Sequence, residues 1–240
     1  MANPTAAMLV IGDEILSGRT RDSNMHFLAG ELTKHGIDLK EVRIVSDDPT
    51  AIVAAVKALS AAHDTVFTSG GIGPTHDDIT ADCIAEAFGV AIDIRADARA
   101  ILEAHYAATG LELNAARLRM ARIPDGASLI DNPVSMAPGF SIGNVHVMAG
   151  VPQVFQAMVA SVLPTLTGGA PLLSQTLRVF RGEGDIAETL TQIAARFSDL
   201  SVGCYPFQRD GVFGANVVVR GQDGSRVDAA ITQLAQELEQ

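Results

Sequence analysis

Residues 65–68, Thr-Val-Phe-Thr, form a short apolar run that passes without a spacer into Ser69-Gly70-Gly71-Ile72-Gly73-Pro74. β-Branched and aromatic residues ending in such a cluster read as a buried strand that stops at a tight turn. The preceding segments set the direction of that strand. Residues 8–11 are a strand closed by Gly12. Met25, Leu28 and Leu32 recur at helical spacing before Gly36, and residues 37–45 are strand-like up to Asp47-Asp48-Pro49. Asp48 as N-cap with Pro49 as first helical residue starts a helix over 49–63, and a further helix runs from near Thr80 to Gly89. Strand, helix, strand, glycine turn, helix is the order of an α/β fold with a largely parallel sheet covered on both faces. In such sheets, ligands bind beyond the carboxyl ends of the strands.

Further along, the patterning predicts a short strand from Val90, helices over 97–109 and 114–122, a turn at Pro124-Asp125-Gly126, and a hairpin of 140–142 with 145–148. A helix then opens at Gly150-Val151-Pro152. Thr167-Gly168-Gly169-Ala170-Pro171 lacks periodicity and marks a boundary, giving an α/β domain over 1–168 and a small α+β subdomain over 169–240. The latter reads as strand 176–180, helix 185–197, strands 201–206 and 212–220, and helix 227–238.

Composition narrows the partners. The net charge is -11, from 17 Lys+Arg against 28 Asp+Glu, which disfavours tracking along nucleic-acid phosphates. The apolar runs at 52–62 and 154–166 break before the ~20 residues needed to cross a bilayer, and no basic-then-apolar leader is present. A cytoplasmic protein without membrane or nucleic-acid partners is expected. Cys83 and Cys204 stand far apart without CxxC spacing, so buried thiols are expected in place of a disulfide or zinc site.

The chemistry centres on residues 69–80. Three glycines within four residues remove Cβ atoms and permit positive φ, so that main-chain amides can approach an anion, and the following helix adds its positive end. Glycines alone are equally consistent with a plain strand-to-helix turn. Asp77 and Asp78 add to the reading, because carboxylates beside a phosphate repel it unless a cation lies between. Two more acidic pairs, Asp13-Glu14 and Asp47-Asp48, fall at strand ends on the same edge. Asp48 has a capping role, so Asp47 and Asp78 are the expected catalytic carboxylates, while Glu14 reads either as a third metal ligand or as a solvated surface carboxylate. A divalent ion such as Mg, Mn or Co is the expected cofactor. His76 reads as an exposed loop residue, Arg117, Arg119 and Arg122 as a solvated face, and Asn132-Pro133 and Ala137-Pro138-Gly139 as turns.

Taken together, Ile11-Gly12-Asp13-Glu14, the 69–80 string, Asn132-Pro133 and Ala137-Pro138-Gly139-Phe140 resemble the molybdopterin-binding domain of CinA-type competence/damage-inducible proteins. Gly203-Cys204-Tyr205-Pro206 resembles a strand of that family's small domain. The resemblance implies a three-layer α/β/α core, a homodimer, and a metal-dependent pyrophosphatase that hydrolyses a nucleotide diphosphate compound such as ADP-ribose or FAD. It implies ligand contacts at Gly12, Ser69, Gly70, Gly71, Gly73, Pro74, Thr75, Thr80, Asn132 and Gly139, and catalytic or metal-binding roles for Asp47 and Asp78. A non-catalytic pterin or nucleotide-binding module and a molybdopterin adenylyltransferase are the alternatives. The sequence departs from the family pattern at Gln153-Val154, where Glu-Met is usual, and at Ser135-Met136, where Gly-Thr is usual. The 240 residues include no segment like the nicotinamide-nucleotide amidase domain of longer CinA proteins, so deamidation is not expected.

Overall fold

A computed structural model describes residues 2–209 and 211–238. The chain divides into two compact units, Met1–Gly169 and Ala170–Gln240, each with its own hydrophobic core.

In the first unit, β1 (Thr5–Ile11) is followed by a single-turn α1 (Asp13–Leu16), α2 (Asn24–Lys34), β2 (Asp38–Val45), α3 (Pro49–Ala62), β3 (Thr65–Ser69) and α4 (Thr80–Phe88). After them come β4 (Ile92–Ile94), α5 (Ala96–Thr109), α6 (Ala115–Leu118), β5 (Arg122–Pro124), β6 (Ser128–Ile130), β7 (Gly139–Ile142), β8 (Val145–Met148) and α7 (Pro152–Val162). The main sheet has the order β2-β1-β3-β8-β7-β6. Its first three pairings are parallel and the last two antiparallel. The sheet is therefore largely parallel where it carries the cleft and antiparallel at the far edge.

Alternation along β1 explains the three layers. Ala7, Leu9 and Ile11 join one core with Ile52, Val56, Ile84 and Leu102, while Ala6, Met8 and Val10 join another with Leu28, Phe67 and Phe155. A strand buried on both faces has no polar side to offer, hence its continuous apolar sequence. Each large side chain buried here stabilises the fold by about 1.5–3 kcal/mol. The capping of α3 is as expected, with the Ala51 N–H donating to Asp48 Oδ1 at 2.8 Å.

The short strand expected after Val90 is β4, which lies outside the main sheet and pairs antiparallel with β5 in a separate two-stranded ribbon. One expectation needs correction. The helix expected over 114–122 is one turn, α6, followed by a 3-10 turn at Arg119–Ala121, because the chain must straighten at Arg122 to enter β5.

The second unit is a three-stranded antiparallel sheet of β9 (Leu173–Val179), β10 (Ser201–Arg209) and β11 (Val212–Gly221), in the order β10-β11-β9. Two helices, α8 (Glu183–Arg196) and α9 (Gly224–Leu238), bury Ile186, Ile193, Val227 and Leu234 against Val217 and Val219 of the sheet. No described helix is long and apolar enough to cross a membrane. Both cysteines are free; Cys83 is buried, and that burial, with the nearby carboxylates of Asp82, Glu86 and Asp48, pushes its thiol up to about 11.

His146 on β8 is 8% exposed, stacks against Phe67 with ring centroids 5.3 Å apart, and exchanges a hydrogen bond with Ser141 Oγ at 2.8 Å through Nδ1. Burial pushes its pKa down from 6.5 to about 4. The unfolded chain therefore takes up this proton first, and stability present above pH 6.5 is lost as pH falls toward 4. We expect a loss of about 3 kcal/mol across that window from this group. Urea unfolding at pH 7 and pH 4 checks it, the His146→Gln variant being the less pH-sensitive of the two.

Candidate functional site

The four parallel strands end on one edge. The chain leaves β1 toward β2 on one side and returns as β3 on the other, so a crevice opens where the strand order reverses. The Gly12 N–H donates to Val45 O at 3.1 Å and the Gly70 N–H to Met148 O at 3.1 Å, locking the loops after neighbouring strands to one another. A cavity of about 720 Å³ lies over this edge, lined by segments following β1, β2, β3 and β8 and by the 132–137 loop. That volume suits a nucleotide-sized ligand.

The glycine turn is held from behind. Gly70 has φ 109°, and a Cβ there would overlap the main-chain oxygen of Ile11. Gly71 has φ 69°, and its Cβ would overlap Thr80 Oγ1. The Thr80 N–H donates to Gly71 O at 2.9 Å and its hydroxyl to Gly70 O at 3.0 Å, so the start of α4 grips the turn. The glycines thus serve close packing against protein as well as exposing one side of the turn to the cleft.

Of the expected ligand contacts, Gly12, Gly70, Gly71, Gly73, Pro74 and Asn132 line the cavity, and so do the carboxylates Glu14, Asp47 and Asp78. Ser69, Thr75, Thr80 and Gly139 do not line this cavity, although Ser69 lines a smaller hollow beside it. Ser69 and Thr80 are buried beneath the turn and Gly139 packs against β8. Thr75 is occupied with Asp78, donating from N–H at 2.8 Å and from its hydroxyl at 2.6 Å to Asp78 Oδ2. Asp78 lies in this turn ahead of α4 and not within the helix. Asn132 spends its amide on its own loop, donating to Ser135 Oγ at 2.6 Å and Ala137 O at 2.8 Å and accepting from Val134 N at 3.1 Å.

Asp47 is the strained carboxylate. It accepts the Asp13 N–H at 3.0 Å, yet burial raises its pKa above the ordinary value, and the charges of Asp13, Glu14 and Asp77 push the same way. Among the described residues no three His, Cys, Asp or Glu side chains stand close enough to form a metal site by themselves. Asp47, Asp78 and Glu14 are therefore not a closed cage but carboxylates spread along one cleft. Their chemistry still suits a hard divalent cation, which takes oxygen donors and, for Mg, commonly uses one or two carboxylates plus substrate phosphates. The like-charge crowding on Asp47 is what such an ion would relieve.

His76 is fully exposed, as expected. Arg122 is tied to Asp82 at 2.6 and 2.7 Å, whereas Arg119 donates to Asp78 O at 3.3 Å and borders the glycine turn. Gly150, Val151 and Pro152 line the cleft and follow a parallel strand, so the strand-end rule that selected Asp13 and Asp47 was their signal too. Gln153 is exposed and outside the lining.

Met136, at one of the departures from the family pattern, has φ 63°, a conformation costing a residue with a Cβ about 1 kcal/mol. Met136→Gly is expected to raise stability by roughly 0.5–1 kcal/mol, read from the denaturation midpoint.

Residues 7–168 match the model of a probable molybdopterin binding domain, and residues 171–240 match that of the FAD synthase middle domain. The chain is 33% identical to a probable FAD synthase of Caenorhabditis elegans, over 98% of this chain and 50% of the relative. It is 36% identical to a CinA-like protein of Myxococcus xanthus, over 72% of this chain and 43% of the relative. The chain therefore spans about half the length of the curated relatives it matches. The crystal structure of CinA from Thermoplasma acidophilum, described as of unknown function, matches with a TM-score of 0.63 at 35% identity, covering 68% of this chain and 97% of that one.

Proposed function

The chain belongs to the probable molybdopterin binding domain family, as a CinA-type member, and on that premise we propose that its cleft is the active centre of a metal-dependent pyrophosphatase. The substrate is a nucleotide diphosphate compound such as ADP-ribose, with FAD as a second candidate. The observation that carries this reading is the meeting, in one cavity, of the open side of the Gly71–Gly73 turn with the carboxylates of Glu14, Asp47 and Asp78. The main chain around Gly71 and Gly73 holds the anion, while Asp47 and Asp78, with Glu14, hold the cation. When bound, the cation supplies charge neutralisation at the diphosphate and a more acidic water. Asp78, fixed by two donors from Thr75, orients the loop that faces the phosphates.

The test is release of AMP from ADP-ribose with Mg, Mn or Co, and its loss with chelator. Intact ADP-ribose and FAD under all three metals would remove the hydrolase reading. The engagement of Asp78 Oδ2 by Thr75 favours a second reading, in which Asp78 shapes the turn and the cleft binds a pterin or nucleotide without turnover. Ligand binding that survives Asp78→Asn, with no turnover in the unmutated protein, selects it. An adenylylated pterin formed from ATP selects adenylyl transfer. We propose a homodimer as the assembly, tested by sedimentation.

A further inference from the structure

A smaller hollow of about 60 Å³ shares Ile11, Glu14, Thr20, Gly150 and Pro152 with the main cleft and runs back to Asn24 and Ser69. Asn24, the first residue of α2, is 4% exposed. Its Nδ2 donates to Ser69 Oγ at 2.8 Å and to Gly150 O at 2.8 Å. A carbonyl oxygen can only accept, so Gly150 fixes which end of the amide faces it. The remaining atom, Oδ1, is buried without a partner. An acceptor left so costs about 1–3 kcal/mol, and the fold does not need that cost, since the bonds that tie α2 to the ends of β3 and β8 use only the nitrogen. Ser69 Oγ accepts from Asn24 and so still has a hydroxyl hydrogen to place.

We infer that this hollow is a specificity subsite, in which Asn24 Oδ1 accepts a hydrogen bond from the exocyclic amino group of a heteroaromatic ligand. The inference rests on the nucleotide or pterin reading of the cleft. The hollow is too small for a bicyclic ring but admits an amino group and the ring edge bearing it, the rest of the ligand lying in the 720 Å³ cavity. Adenine and pterin both present such a group. An oxo group in the same place would set two acceptors against each other, which a site built around a buried acceptor rejects.

Matched amino and oxo pairs separate the sources. Binding of ADP-ribose against inosine diphosphate ribose, and of pterin against lumazine, is measured by calorimetry with and without Mg. The amino member of one pair is expected to bind about tenfold more tightly or better; the pair that discriminates names the base. In Asn24→Ala, checked for folding by its melting curve, that ratio should fall close to one. Ratios within about twofold for both pairs in the unmutated protein overturn the inference, whether or not the variant folds, and mean that the hollow holds only water. So does a ratio undiminished in a folded Asn24→Ala. Binding by none of the four compounds overturns the functional reading itself, and the subsite with it.

Discussion

Asp47→Asn is expected to lower AMP release from ADP-ribose by roughly 100-fold or more while raising the melting temperature of the metal-free protein. Both effects come from one environment. The amide oxygen of Asn can still accept the Asp13 N–H now held at 3.0 Å, so the loop is kept, but the charge that a cation would use is gone. In the metal-free fold that charge is a liability, because burial and the neighbouring carboxylates raise the pKa of Asp47. A raised carboxyl group contributes stability that is full below its unfolded pKa and lost as pH rises through the folded value. Once the aspartate is ionised the loss is complete; a neutral side chain avoids it. The rate should accordingly fall with acid through a pH above the ordinary aspartate range, and the midpoint should move lower as the metal concentration rises, since metal and proton compete. Full activity in Asp47→Asn, or a lower melting temperature, would remove Asp47 from the metal-binding role.

Gly70→Ala is expected to cost about 3–4 kcal/mol of folding stability, a large share of the roughly 5–15 kcal/mol that holds a typical domain together. The added methyl group would press on the carbonyl of Ile11, the last residue of β1, which is backbone of a strand paired on both sides, by β2 and β3, and cannot swing aside, and φ 109° is closed to residues with a Cβ. Denaturant titration reads the loss. An alanine tolerated within 1 kcal/mol would mean that β1 and β3 part easily at this point, and the rigid anion-binding turn would go with them.

The sheet was legible in the sequence wherever a periodic run had length. The alternation within residues 37–45 and the helical recurrence of Ile52, Val56 and Leu59 left little choice of element. β5 and β6, three residues each, are too short to carry a period, and β4 could be read as a strand but not assigned a partner. The strand-end rule singled out Glu14 and Asp47, which line the cleft, and Asp13, which does not. Glycines in a sequence announce a close approach without saying what approaches. That ambiguity concealed the buried roles of Thr80, which clamps the turn from the protein side, and of Ser69, which accepts from Asn24. Asn24 gave no signal beyond its place at a helix start, because its partners Ser69 and Gly150 lie 45 and 126 residues away.

Residues 170–240 close their own core of Val179, Ile186, Ile193, Val217 and Leu234. A segment that closes its own interior is a candidate cassette: a chimaera cut at the glycine-rich joint is expected to keep this second core intact, and is the natural means of finding which half dictates ligand choice.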